Sequence, residues 1–142
     1  MKLLMDTHIW VWSLLEPGRL SRSVSKALAD PANEVWASPI SVWEILILCQ
    51  KGRLALQPDA MAWVSGALLR VPLKEATLTH EVALATAQVA LRHQDPADRF
   101  LAASAKVYGL TLVTSDRNLL AGKGFSVLAN RGPHQPKRAP LV

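Results

Sequence analysis

Cysteine is nearly absent from this sequence. Cys49 is the only one, so the chain forms no internal disulfide, and its place in an apolar run reads as a buried thiol in a reducing cytoplasm. Long apolar runs are missing too. They stop at five residues, as in Ile45–Cys49, where a membrane span needs about 20. The N-terminus has one Lys, three apolar residues and then Asp6, which is no signal peptide. There is no P-loop, no GxGxxG and no GxSxG, which leaves nucleotide-cradle and serine-hydrolase readings without support. "HEVAL" at His80 lacks the second His that a helical zinc-protease site requires. No internal repeat and no interior linker is visible.

What is present describes one soluble domain. Half of the 142 residues are hydrophobic and 19% are charged, the balance of a globular chain with a substantial core. The net charge of +5 is uneven. The last twelve residues, "RGPHQPKRAPLV", carry Arg131, Lys137 and Arg138 and no acid. Without them 13 basic groups face 11 acidic ones. Residues 1–130 are therefore expected to form the domain, and 131–142 a disordered basic, Pro-rich tail.

Within the domain, short apolar segments alternate with helical ones. Lys2–Met5, "EVWAS", "LTLVT" and "FSVLA" read as strands, and Val71–Leu73 as a minimal one at an edge because of Pro72. "THIWVWSLL" suits a helix or a second strand. Ser21, Ser38-Pro39, Asp59 and Asp95-Pro96 open helices, and Gly52 and Gly109 close two of them. "THEVALATAQVALRH" predicts one helix whose apolar face holds Val82, Ala85, Val89 and Leu91. Strands separated by helices predict an α/β fold, a central parallel sheet with helices on both faces.

Several carboxylates do not fit that apolar plan. Asp6 follows the first strand directly, and ligands of open α/β sheets gather beyond the carboxyl ends of strands. A helix cap explains Asp6 equally well. Glu44 has Ile40, Ser41, Ile47 and Leu48 as its helical neighbours, an apolar face where an unpaired carboxylate costs several kcal/mol. Asp95 and Asp98 fit the cap and third position of a helix start. Asp116 follows "LTLVTS", the clearest strand. Each has a plain alternative as cap, salt bridge or protonated acid. Together, Asp6, Glu44, Asp98 and Asp116 point to one pocket whose mutual repulsion calls for a cation. Oxygen ligands without His/Cys spacing select Mg²⁺ or Mn²⁺ over zinc, and such an ion suits hydrolysis of a phosphodiester. Apart from those acids and the tail, 13 basic groups face 7 acidic ones, a cationic surround for a phosphate backbone. Arg99 and Arg117 adjoin two of the acids and are candidate phosphate contacts, with surface salt bridges the plain alternative.

"LLMDTHIWVW", "SPISVWEI", "HQDPADRFLAASA" and "LVTSD" come in the order and approximate spacing of a PIN-domain protein. Over residues 1–130 the chain resembles the VapC-like toxins of type II toxin–antitoxin modules. That resemblance implies a Mg²⁺-dependent endoribonuclease, cytoplasmic and usually dimeric, held inactive by a cognate antitoxin. It implies an acidic quartet of Asp6, Glu44, Asp98 and Asp116, with Asp6, Asp98 and Asp116 as metal ligands. Thr7 and Thr114 match hydroxyl positions beside the quartet, and Asp95 belongs to an "HxDPxDR" variant. It also gives the apolar helix "VWEILIL" a second meaning, a groove at Trp43, Leu46 and Ile47 for an antitoxin helix. Core packing is the default for most of the tryptophans.

Two rivals stand against the nuclease. A haloacid-dehalogenase-type phosphatase also places an Asp after its first strand, yet needs a second Asp two residues on, where this chain has His8. A non-catalytic nucleic-acid or partner-binding module of a repressor complex would use the same basic balance and leave the four acids dispensable.

Overall fold

The computed structural model describes residues 1–92 and 95–131. Most of the basic tail, 132–142, and the first two residues of the "HQDPADR" segment lie outside it. Five strands form a parallel sheet: β1 (Lys2–Met5), β2 (Glu34–Ala37), β3 (Lys74–Glu75), β4 (Thr111–Thr114) and β5 (Ser126–Ala129). Their spatial order is β3-β2-β1-β4-β5. The register sets Leu4 beside Trp36 on one side and beside Leu112 on the other. Seven α-helices accompany it among the described residues: α1 (Thr7–Leu15), α2 (Arg22–Ala29), α3 (Pro39–Gln50), α4 (Ala60–Arg70), α5 (His80–Ala85), α6 (Pro96–Tyr108) and α7 (Arg117–Leu120).

Alternation along the strands explains the two layers. Leu3, Met5 and Val113 face one core with Ile9, Trp10 and Trp12 of α1 and Ile45 of α3. Leu4 and Leu112 point the other way, toward Leu101, Ala102 and Ala105 of α6 and Leu119 of α7. A period of two on each strand serves both faces. Burying a Leu, Ile or Trp in these layers contributes roughly 1.5–3 kcal/mol each.

Each α-helix begins on an Asp, Ser or Thr whose side chain accepts from a backbone N–H of the first turn: Asp6, Ser21, Ser38, Asp59, Thr79, Asp95 and Asp116. Each cap stabilises its helix by about 1 kcal/mol. Gly109 ends α6 at φ 65°, a left-handed conformation that favours glycine. "THIWVWSLL" is a helix, because Asp6 caps it and Trp10 and Trp12 are buried within it.

Two expectations shift. The edge strand lies at Lys74–Glu75, just after Val71–Leu73, since Pro72 has no N–H to donate and pairing starts beyond it. "THEVALATAQVALRH" is not one helix. α5 ends at Ala85, a 3₁₀ turn covers Thr86–Gln88, and Ala90 then exchanges two 3.0 Å hydrogen bonds with Lys123. Arg99 Nη1 donates to the Thr86 carbonyl at 3.2 Å, an acceptor that a continuing helix would use. Tertiary pairing here overrides helical propensity. Val82, Ala85 and Val89 are still buried, as their spacing required. Cys49 is half-buried, and that burial pushes its thiol pKa up.

Candidate active site

The parallel sheet gathers its site at one end. β1 ends at Met5 and β4 at Thr114, and the residues that follow each strand stand side by side there. α6 leads into the start of β4, so its own N-terminus returns to the carboxyl end of the sheet. That places Asp6, Asp98 and Asp116 at the same edge. They are 2%, 5% and 7% exposed, values that carboxylates rarely reach without specific support.

Thr114 is the hub of the support. Its hydroxyl donates to Asp6 Oδ2 and accepts the Asp116 backbone N–H at 3.0 Å. The other Asp6 oxygen, Oδ1, accepts from Ile9 N at 3.0 Å, and the Asp6 N–H donates to the Val113 carbonyl at 3.1 Å. Asp116 Oδ1 accepts from Asn118 N at 2.8 Å and from Leu119 N at 3.4 Å. Both aspartates therefore do cap helices, as the plain alternative held, and Asp6 spends only one oxygen on that role. Asp98 is different. Asp95 is the cap of α6, exposed, and accepts from Ala97 N at 2.9 Å and Asp98 N at 3.4 Å. Capping thus explains Asp95, while Asp98 is buried at the third position of the helix.

Glu44 is carried by α3. Thr7, buried in the first turn of α1, donates to Ser41 Oγ at 2.9 Å, which ties the starts of α1 and α3 together. Glu44 lies one turn beyond Ser41 on the same helical face, half-buried instead of enclosed. Arg117 is exposed beside Asp116, whereas Arg99 is half-buried and braces α6 against the Thr86 turn. Trp43 is 51% exposed, and Leu46 and Ile47 are half-buried on the same helix.

Three polar residues escaped the sequence reading. Ser41 carries the α1–α3 link. Ser115 Oγ, between Thr114 and Asp116, is buried without a hydrogen-bond partner. Asn130 is fully buried; its N–H donates to the Thr114 carbonyl at 2.8 Å. Its side-chain oxygen accepts from Ser21 N at 2.6 Å, and its amide nitrogen donates to Arg19 O at 3.1 Å. The signal was available for Asn130, since it follows the last strand as Asp6 follows the first.

No three His, Cys, Asp or Glu side chains among the described residues stand close enough to enclose a metal ion. The donor chemistry nonetheless suits a hard cation. Mg²⁺ keeps several of its waters and takes one or two carboxylates directly, so a preformed three-carboxylate cage is not required. Ser115 Oγ, between Thr114 and Asp116 in the chain, is a further buried polar atom.

Residues 3–123 match the PIN domain family. The chain belongs to that family. It is 37% identical over 120 residues to ribonuclease VapC22 of Mycobacterium tuberculosis, covering 82% of this chain and 88% of that protein. Its fold is shared by VapBC2 of Rickettsia felis, solved bound to a DNA fragment from its promoter, with a TM-score of 0.66 at 16% identity over 91% of this chain and 98% of that one. VapBC-5 of Mycobacterium tuberculosis, a member of the VapBC toxin–antitoxin family, aligns with a TM-score of 0.58 at 18% identity, over 92% and 98% of the two chains. The single α/β PIN domain expected from the sequence is therefore what the chain is. No described helix is long and apolar enough to cross a membrane.

Proposed function

We propose that this PIN-domain protein is a Mg²⁺-dependent endoribonuclease and the toxin of a toxin–antitoxin pair. The observation that carries the reading is the Asp6–Thr114–Asp116 link, two buried carboxylate residues joined through one hydroxyl with a third, Asp98, at the same edge. The 37% identity to a protein named as a ribonuclease supports it.

In this reading Asp6, Asp98 and Asp116 hold the ion, and Mn²⁺ substitutes for it. An ion bound there would supply a water of lowered pKa as nucleophile and a counter-charge for the phosphoryl group. Thr114 keeps Asp6 and Asp116 in register. Thr7, through Ser41, keeps α3 against α1, so that the Glu44 carboxylate can take the proton released by the attacking water. The sheet edge and the helix starts exclude bulk solvent from one side of the pocket.

The same reading assigns partners. Trp43 of α3 and Leu68 and Leu69 of α4, at 51%, 46% and 88% exposed, offer apolar side chains suited to the amphipathic helix of an antitoxin. A cleft of about 360 Å³ at Leu68 is lined by Pro39, Val42 and Leu73 together with Lys74 and Glu75 of β3. A homodimer and a cytoplasmic location complete the proposal; a half-buried free thiol and an RNA substrate suit that compartment. A non-catalytic binding module fits less well, because it leaves three buried carboxylates with no use for their desolvation cost.

The test is incubation of the purified chain with total cellular RNA in Mg²⁺, then with excess EDTA, beside Asp6→Asn. Discrete cleavage that requires the metal and disappears in the variant is expected. A folded, antitoxin-free chain that cuts nothing would return the weight to the binding module.

A further inference from the structure

The two edges of the sheet offer opposite surfaces. Beyond β3 lies the apolar surface of α3 and α4. At the carboxyl end of β5 the exposed side chains include arginines. β4 and β5 pair in parallel with Thr114 beside Ala129, so the segments 115–117 and 130–131 leave the sheet as neighbours, about 4.8 Å apart at the strands. Each carries an exposed arginine, Arg117 and Arg131. Neither makes a salt bridge among the described residues.

Asn130 fixes that edge. Its backbone N–H is held by the carbonyl of Thr114, the residue whose hydroxyl serves Asp6 and Asp116. Its amide uses one donor and its oxygen on Arg19 and Ser21, which ties the start of α2, and with it exposed Arg22, to the end of β5. A fully buried, hydrogen-bonded amide thus sets the backbone on which uncompensated guanidinium groups stand. Structural ion pairs do not account for them.

We propose that the RNA backbone enters the acidic pocket across the β4–β5 edge, with phosphates held by Arg117 and Arg131 and a further one by Arg22. This rests on the nuclease reading and specifies the side from which its substrate comes. Guanidinium groups bind phosphate in a planar fork, and flanking phosphates held there offset the repulsion between an incoming strand and Asp6, Asp98 and Asp116.

The probe is a short fluorescein-labelled single-stranded RNA of mixed sequence, with duplex DNA of the same sequence beside it. Anisotropy in EDTA across a salt series measures binding without cleavage. Arg117→Gln, Arg131→Gln and their double variant are compared with Lys51→Gln, which lies at the far end of α3. All three sites are exposed, so the variants fold. Each arginine change is expected to weaken RNA binding several-fold and to make the slope of log affinity against log salt shallower by about 0.7, with Lys51→Gln unchanged. In Mg²⁺ the same variants raise KM and keep kcat. If the wild type binds and cuts RNA and the arginine variants do so equally well, the edge is not the path and the nuclease reading stands without it. A wild type that neither binds nor cuts RNA overturns both. An arginine effect confined to duplex DNA overturns the proposal and assigns the edge to DNA.

Discussion

The two ends of the sheet treat their carboxylates in opposite ways. At the amino end, Glu34 of β2 is half-buried, accepts from the Trp36 indole at 3.0 Å and pairs with Lys74 at 3.2 Å. The indole hydrogen bond first, then Lys74, holds its pKa below the usual 4.5. At the carboxyl end, Asp6, Asp98 and Asp116 are almost wholly buried, and Asp6 and Asp116 rest on backbone N–H groups and the Thr114 hydroxyl. A solvated ion pair adds little to a fold. Buried carboxylates gathered at one edge oppose it. The first arrangement is what a surface does with an acid, and the second is the one on which the proposed metal site rests.

The largest expected break in that contrast is Asp6→Asn. Altering the partners of a metal's ligands typically costs 10–100-fold in activity, so loss of a ligand itself is expected to exceed about a hundredfold. Stability should hold, because Asn caps a helix as well as Asp does. RNA cleavage and thermal melting read the two effects separately. Loss of both together would make Asp6 a structural cap.

Thr114→Val comes next. It strips a partner from Asp6 Oδ2 and from the Asp116 N–H, both buried, at a cost of about 2 kcal/mol. Denaturant unfolding checks that loss, and cleavage is expected to fall roughly 10–100-fold because the two aspartates lose their common support. Thr114→Ser should restore most of both.

A smaller effect is expected at the apolar surface. Changing Trp43 and Leu46 together to Ala should weaken binding of the cognate antitoxin at least about tenfold, measured by titration calorimetry, while RNA cleavage stays within about twofold of wild type. Equal affinity would remove this surface from the partner assignment.

Glu34→Gln should do least. A depressed folded pKa contributes stability that is present above the ordinary value of 4.5 and lost as pH falls through the folded one. Melting curves of wild type and variant should therefore differ slightly near neutrality and converge in acid. A gap that widens as the pH falls would reverse the sign of this contribution.

Much of this was legible in the sequence because local and global signals agree. Asp6, Ser38, Asp95 and Asp116 each mark a helix start with a side chain suited to capping, and the strands Lys2–Met5 and Thr111–Thr114 are apolar on both faces, as a covered parallel sheet demands. The break in the helix after Ala85 was not legible, since it comes from the pairing of Ala90 with Lys123, far away in the chain. Asn130 was missed for a related reason. Its place after the last strand was the one signal, while its partners, 109 and 111 residues away, are not announced nearby. Glu44 looked enclosed by its apolar neighbours and is half-buried, because Ile47 and Leu48 are themselves only partly covered.

The most direct test of the central claim is calorimetric titration of the purified chain with Mn²⁺, beside Asp116→Asn, with no RNA present. The buried carboxylates at the carboxyl end of the sheet are expected to bind the ion, and the variant to bind it at least about tenfold more weakly. Binding that is absent from the wild type, or unchanged in the variant, would contradict the assignment of this edge as a metal site.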